Sequence, residues 1–344
     1  MRRSVDAGAA RPLIALAGGG LVILAMILLA FAVGRYPVPA GDLLTLLWSK
    51  LTGAPHDLAP AVEQVVFGVR GPRVLAALLV GGALALAGAA YQSLFRNPLV
   101  SPDILGVSSG AALGAVLGIF LSLDVFAIQG LAFAFGLLAV LGAYAIAARL
   151  RTHDPLLVLV LAGVVLGALL GACLALLKYL ADPYNQLPAI TYWLLGSLAT
   201  ATAADAWSIL PAVLAGGGVL WLARWRINVL ALGDEEAASL GVKPARVRAA
   251  VIAAATLMTA AAVSISGVIG WVGLLVPHVA RLLVGPDFRR LAPVSLLLGA
   301  AFMLGVDTLA RTAAAIEIPL GVLTAFVGTP IFLWLLASAR RSWQ

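Results

Sequence analysis

Residues 156–177 read LLVLVLAGVVLGALLGACLALL, 22 residues without a charge. A helix of about 20 apolar residues crosses the hydrocarbon core of a bilayer, so this stretch is long enough to span. Outward from it, runs of the same kind recur at 13–33, 74–95, 104–123, 125–148, 206–223, 249–266, 268–284, 291–309 and 320–338. Two boundaries are thin. Asp124 alone separates the third run from the fourth and Gly267 alone the seventh from the eighth, so either pair also reads as one broken or re-entrant element. The longest polar stretches are 34–73 and 224–248, and no soluble domain or low-complexity linker intervenes. With 62% hydrophobic and 11% charged residues, the chain carries more apolar surface than water can solvate. The expectation is an all-α, polytopic transmembrane bundle of about ten helices, with 1–344 as one domain.

Charge placement tests that count. With the N-terminus inside, six of the 22 basic residues fall outside (Arg35, Lys50, Arg70, Arg73, Lys178 and Arg311), and the other 16 fall inside. That is the direction the positive-inside rule demands, and omitting one mid-chain helix would scramble it. Both termini are thus expected in the cytoplasm. The net charge of +7 does not signal nucleic acid, because the basic residues cap apolar runs instead of forming a stripe. Residues 1–32 have features of a signal peptide, but their apolar run of about twenty residues exceeds the usual 7–15. A lone Cys173 and scattered His56, His153 and His278 offer neither a disulfide framework nor a metal-ligand spacing.

The segment GVRGPRVLAA at 68–77 resembles GVKPARVRAA at 241–250, each leading into a small-residue helix. Five crossings separate the two, so the units run in opposite directions, a transporter signature. Gly110, Gly114 and Gly118 on the third span, and Gly163, Gly167 and Gly171 on the fifth, each line one helix face. Such faces admit close helix packing, and on the fifth span also leave room beside a pathway for a bulky solute. No GxxxxGK[ST] loop exists to cradle nucleotide phosphates, and no chain of buried carboxylates suits a proton-coupled carrier. Asp307 and Arg311, spaced i,i+4, form the main intramembrane ionic pair, so energy is expected from a partner. On the inner side, NVLALGDEEAASLGV at 228–242 predicts a short helix capped by Asp234, acidic at Glu235 and Glu236, and ended by Gly241. So short a helix needs a surface to rest on: the protein's own inner face, lipid headgroups or a partner.

Several motifs together resemble the iron-chelate and vitamin B12 permease family, the membrane subunits of type II ABC importers. They are Arg70-x-Pro72-Arg73; Gln92-x3-Arg96-Asn97-Pro98-Leu99-x2-Pro102-x2-Leu105-Gly106; Trp193-x2-Gly196-Ser197-Leu198; and Leu232-Gly233-x7-Leu240-Gly241-Val242. Two more are Gly267-x-Ile269-x2-Val272-Gly273-Leu274-x2-Pro277-His278-x2-Arg281, and Asp307-x3-Arg311 with Glu317-Ile318-Pro319-x-Gly321. Phe288 departs from the family, which usually has His there. The resemblance implies a transport subunit and not an enzyme: a homodimer around a central pathway, two ATPase subunits that bind ATP and Mg, and a periplasmic binding protein. No cofactor is implied in this chain. Localisation follows as the bacterial inner membrane.

The resemblance also assigns roles. Leu232, Gly233, Asp234, Glu235, Glu236, Leu240, Gly241 and Val242, within the cytoplasmic loop 227–248, become the ATPase-coupling segment. Arg70, Arg73 and Arg311 become the docking site for acidic residues of the binding protein. Asn97 and Leu99, with Thr152 and His153, fall where the family narrows its pathway at the cytoplasmic end, and the Gly163, Gly167 and Gly171 face lies near the pore. His278 and Arg281 read as helix-end structure. For cargo, the resemblance puts iron chelates (siderophore or haem) first, with cobalamin and molybdate or another oxyanion as alternatives. The stretch DPYNQLPAI at 182–190 is more siderophore-like than haem-like. An ion-coupled secondary transporter, the rival from another class, would explain the repeat but not the coupling segment or the outer arginines.

Overall fold

The computed structural model describes residues 2–34, 36–150 and 155–340. Each predicted span has a helix: α1 (Arg2–Ala32), α4 (Gly71–Leu94), α5 (Val107–Phe120), α6 (Val125–Arg149), α7 (Pro155–Leu180), α9 (Ala203–Leu230), α11 (Pro244–Ser266), α12 (Val272–Val284), α13 (Phe288–Thr312) and α14 (Leu320–Arg340). Both thin boundaries are real breaks. Ser122 takes a positive φ after α5, and the Asp124 carboxylate then accepts from the amides of Phe126 and Ala127 to start α6. Gly267 ends α11 at φ 68°, a conformation open to glycine, and 267–271 runs without regular structure until Trp271 (φ 71°) opens α12.

The short helices between the spans were not legible as apolar runs. They are α2 (Ala40–Thr52), α3 (Pro60–Glu63) continuing through a π-helical stretch (Gln64–Arg70), a 3-10 turn (Pro102–Leu105), α8 (Gln186–Leu195) and α10 (Asp234–Ser239). α2 is amphipathic: it buries Leu43 and Leu46 against Val38, Val62 and Val66 and leaves Trp48 exposed.

Helix lengths expose the repeat. α1, α4, α5, α6 and α7 have 31, 24, 14, 25 and 26 residues, and α9, α11, α12, α13 and α14 have 28, 23, 13, 25 and 21. In both units the third helix is short. Each is also entered from a link bounded by positive-φ residues, Arg96 and Gly106 in the first unit and Gly267 and Trp271 in the second. The units interlock: α4 packs on α13, its counterpart α11 packs on α6, and α4 and α11 lie against each other with Tyr91 Oη 3.1 Å from Thr256 Oγ1.

α4 is the centre of the bundle. Its small residues are buried nearly all round, and a side chain at Gly81 would overlap the Gly299 carbonyl on α13. One at Gly88 would overlap the Gly273 carbonyl on α12. By contrast nothing approaches Gly171 on α7. Gly88→Ala should therefore destabilise the bundle by about 1–3 kcal/mol, the cost of overpacking, while Gly171→Ala leaves stability unchanged or slightly higher. Thermal unfolding midpoints in mild detergent check the contrast.

Candidate functional site

At the inner end, as the charge pattern assigns it, α9 runs to Leu230 and the chain turns into α10. Gly233, at φ 141°, takes the N-cap position, so Asp234 is the first helical residue instead of the cap expected from the sequence. Its carboxylate is bonded to Arg248 on α11. Ala237 and Val242 are buried and fix the segment to the body through contacts with α9 and α11. Gly241, at φ 78°, ends the turn. What remains outward is Leu232 (63% exposed) and Leu240 (54% exposed), with Glu235 and Glu236 beside them on the exposed side. Two large aliphatic side chains so exposed within a polar loop mark a surface built to be covered.

The turn 96–100 lies next to this segment. Asn97 Oδ1 accepts from the Leu99 amide at 2.9 Å, a side-chain turn that leaves Leu99 51% exposed. Arg96, in a left-handed conformation, donates to the carbonyl of Leu230 in the last turn of α9. Arg96 is thus a structural link between the 97–99 turn and the segment leading into α10. Its place beside the rigid Asn97-Pro98 pair was the available signal in the sequence. Thr152 and His153, expected nearby, lie outside the described residues.

At the opposite end, Arg70, Arg73 and Arg311 do converge, but inward. Arg73 is buried, and its Nε donates to both carboxylate oxygens of Asp307 at 2.9 and 3.0 Å. Its Nη1 and Nη2 donate to Glu317 at 3.1 and 2.6 Å. Such a two-sided fork suits a guanidinium and a pair of carboxylates. Arg70, also buried, donates to the carbonyls of Phe31 and Tyr36, and Arg311 donates to the carbonyl of Ala30. The Asp307–Arg311 pair expected from i,i+4 spacing is only a marginal 3.9 Å contact. The principal partner of Asp307 comes from α4. Carboxylates and main-chain carbonyls thus already engage all three guanidinium groups. A cavity of about 540 Å³ opens beside them, lined by Val33, Gly34, Arg311 and Thr312.

The FecCD transport family model matches residues 21–338. The chain is 40% identical to the molybdate import system permease protein of Haemophilus influenzae, with 94% of this chain and 95% of that one covered. It is 44% identical to the cobalamin import system permease protein of Halobacterium salinarum, over 87% and 81%. A solved metal-chelate type ABC transporter in an inward-facing conformation superposes with a TM-score of 0.85 at 37% identity, covering 94% of this chain and 98% of that one. The chain belongs to the FecCD transport family. It is a multi-pass membrane protein and the permease subunit of an ABC importer, and in this family ATP is hydrolysed by a separate ATPase subunit.

Within this FecCD permease the two glycine faces divide. Gly110, Gly114 and Gly118 pack α5 onto α6, where side chains would meet Leu131, Phe135 and Ile128. Gly163 packs against Ile104 and Leu105 of the 3-10 turn, Gly167 faces the Ser109 hydroxyl, and Gly171 faces open space. The fifth span thus spends one end of its face on packing and leaves the other free. His278 lies edge-on to Phe332, and Arg281 reaches Gln92, whose amide also donates to the Leu274 carbonyl at 3.0 Å. These contacts tie α12 to α4 and α14.

The Arg73 cluster sets a clear test. Asp307→Ala leaves a buried guanidinium short of a partner and should cost about 3–5 kcal/mol, whereas Arg73→Met with Asp307→Leu, which leaves only the more exposed Glu317 unpaired, should recover part of it. A double-mutant cycle on unfolding in detergent measures the difference.

Proposed function

We propose that this FecCD permease works as a homodimer enclosing a pathway for a metal chelate, with the N- and C-termini cytoplasmic. Its α10 segment then seats in the ATPase that supplies the energy. The exposed Leu232 and Leu240 pair, anchored from behind by Ala237 and Val242, carries the reading. A short helix of this kind is stable only against surfaces, and its inner side already has one. The two leucines would fill a groove of the ATPase, with Glu235 and Glu236 supplying rim charge. ATP and Mg belong to that partner, and no cofactor is assigned to this chain.

Asn97 and Leu99, together with Thr152 and His153, are proposed to narrow the pathway at the inner end. The free end of the Gly163, Gly167 and Gly171 face, on a mostly exposed α7, is proposed to lie toward the second copy and the pore. The outer face around Arg70, Arg73 and Arg311 is proposed to receive the binding protein. In this role Arg73 shapes the face through Asp307 and Glu317, and Arg311 lines the adjoining cavity. Among chelates an iron complex is proposed as cargo. Molybdate is the second reading, favoured by the similarity to a molybdate permease over nearly the whole chain. Substrate affinity of the cognate binding protein decides between them.

Leu240→Arg puts a charge where the proposal needs an apolar contact. It should abolish co-purification of the ATPase while the permease remains monodisperse with an unchanged unfolding midpoint. Full ATPase retention by this variant would overturn the docking assignment.

A further inference from the structure

A trough of about 680 Å³ runs along the outside of the bundle where α6, α9 and α11 meet. Leu137, Leu141 and Tyr144 of α6 form one wall, Val219 of α9 the other, and Ala250 and Ala253 of α11 the floor. Toward the inner end a smaller cavity of about 150 Å³ shares Tyr144 and Ile252 with it and reaches Arg248. From Ala245 to Leu257 the lining residues of α11 extend about 18 Å at 1.5 Å per residue. One leaflet's hydrocarbon is about 15 Å deep. A partner helix crossing the membrane would need twice that length of groove.

The chemistry changes at the inner mouth. Arg248 lines the small cavity, its Nη2 bonds Asp234, and its buried Nε has no partner. Exposed Arg149 and Arg246 directly follow the lining residues Ala148 and Ala245. The side walls are carbon and the mouth is basic, with Asp234 as the acidic group bonded there. We infer that this trough is a binding site for an anionic phospholipid of the inner leaflet, with one acyl chain along α11 and the phosphate at Arg248. A phosphate there pairs with the guanidinium at the cavity mouth and shares it with Asp234. The lipid therefore touches the first residue of α10. The leaflet assignment rests on the inward placement of the α10 end, whereas the trough itself rests on no assumption about cargo or ATPase.

The test is lipid retention by the delipidated permease in mild detergent, read by native mass spectrometry with phosphatidylglycerol and phosphatidylcholine as probes. Wild type is expected to prefer phosphatidylglycerol. Arg248→Gln should reduce that preference by about fivefold, the worth of one basic residue at an anionic surface. Ala253→Trp, which fills an exposed stretch of floor, should lose both lipids while Arg248 stays in place. Unfolding midpoints verify that both variants fold. Equal binding of the two lipids by wild type, or unchanged preference in both variants, overturns the site. Inorganic phosphate that displaces the lipid, with Ala253→Trp silent, shows an anion site without a chain and overturns it as well. ATPase co-purification, followed in parallel, reports the α10 docking assignment separately, so either reading can fail alone.

Discussion

Between Gly81 of α4 and Gly299 of α13 there is no room for a methyl group, and the same holds between Gly88 and Gly273 of α12. Lipid gives apolar helices little reason to prefer each other over acyl chains, so association depends on backbone approach and van der Waals contact. α4 meets that constraint with glycine and alanine on nearly every face, which lets four helices crowd around it. The consequences spread outward. Because α13 sits so close at Gly81, the outer end of α4 delivers Arg73 directly to Asp307. Because α12 sits so close at Gly88, Gln92 one turn further on reaches both Leu274 and Arg281.

The inverted repeat gives this close packing its economy. Two units of five helices share one length pattern, and each breaks its second-to-third link with positive-φ residues. The first break, at 96–106, holds the Asn97 turn and hands Arg96 to α9. The second, at 267–271, packs against Gly196 and Gly321. The two halves thus use the same irregularity at different ends of the bundle, one beside the segment leading into α10 and one beside α8 and α14.

What the sequence disclosed follows from which signals are local. Among the described residues, seven of the ten expected spans fold as helices long and apolar enough to cross, because a run of about twenty apolar residues is its own evidence. The runs at 104–123, 268–284 and 320–338 hold shorter apolar helices. α2 was not legible, since an amphipathic helix of 13 residues looks like polar loop, and neither was α8, whose 10 residues are too few to stand out as a span. Arg70, Arg73 and Arg311 do meet at one end of the bundle, but charge counting assigns a side and says nothing of burial. Arg73 and Asp307 lie 234 residues apart, so only the fold could reveal that Asp307 turns to α4 and not to its neighbour one turn away. The α10 segment was readable as a helix because its acidic start and terminal glycine are local. Which of its leucines face outward depended on α9 and α11 behind it.

The short third helices bear on how the chain enters the membrane. At 14 and 13 residues, α5 and α12 are about 20 Å long, well short of the hydrocarbon core. Neither can be threaded into lipid as an independent crossing without exposing the unpaired backbone of its link. Each must therefore enter with a neighbour, α5 as a hairpin with α6 and α12 with α13, which cover it in the finished bundle. Entry by pairs at these two points would spare the bilayer an element too short for it to hold alone.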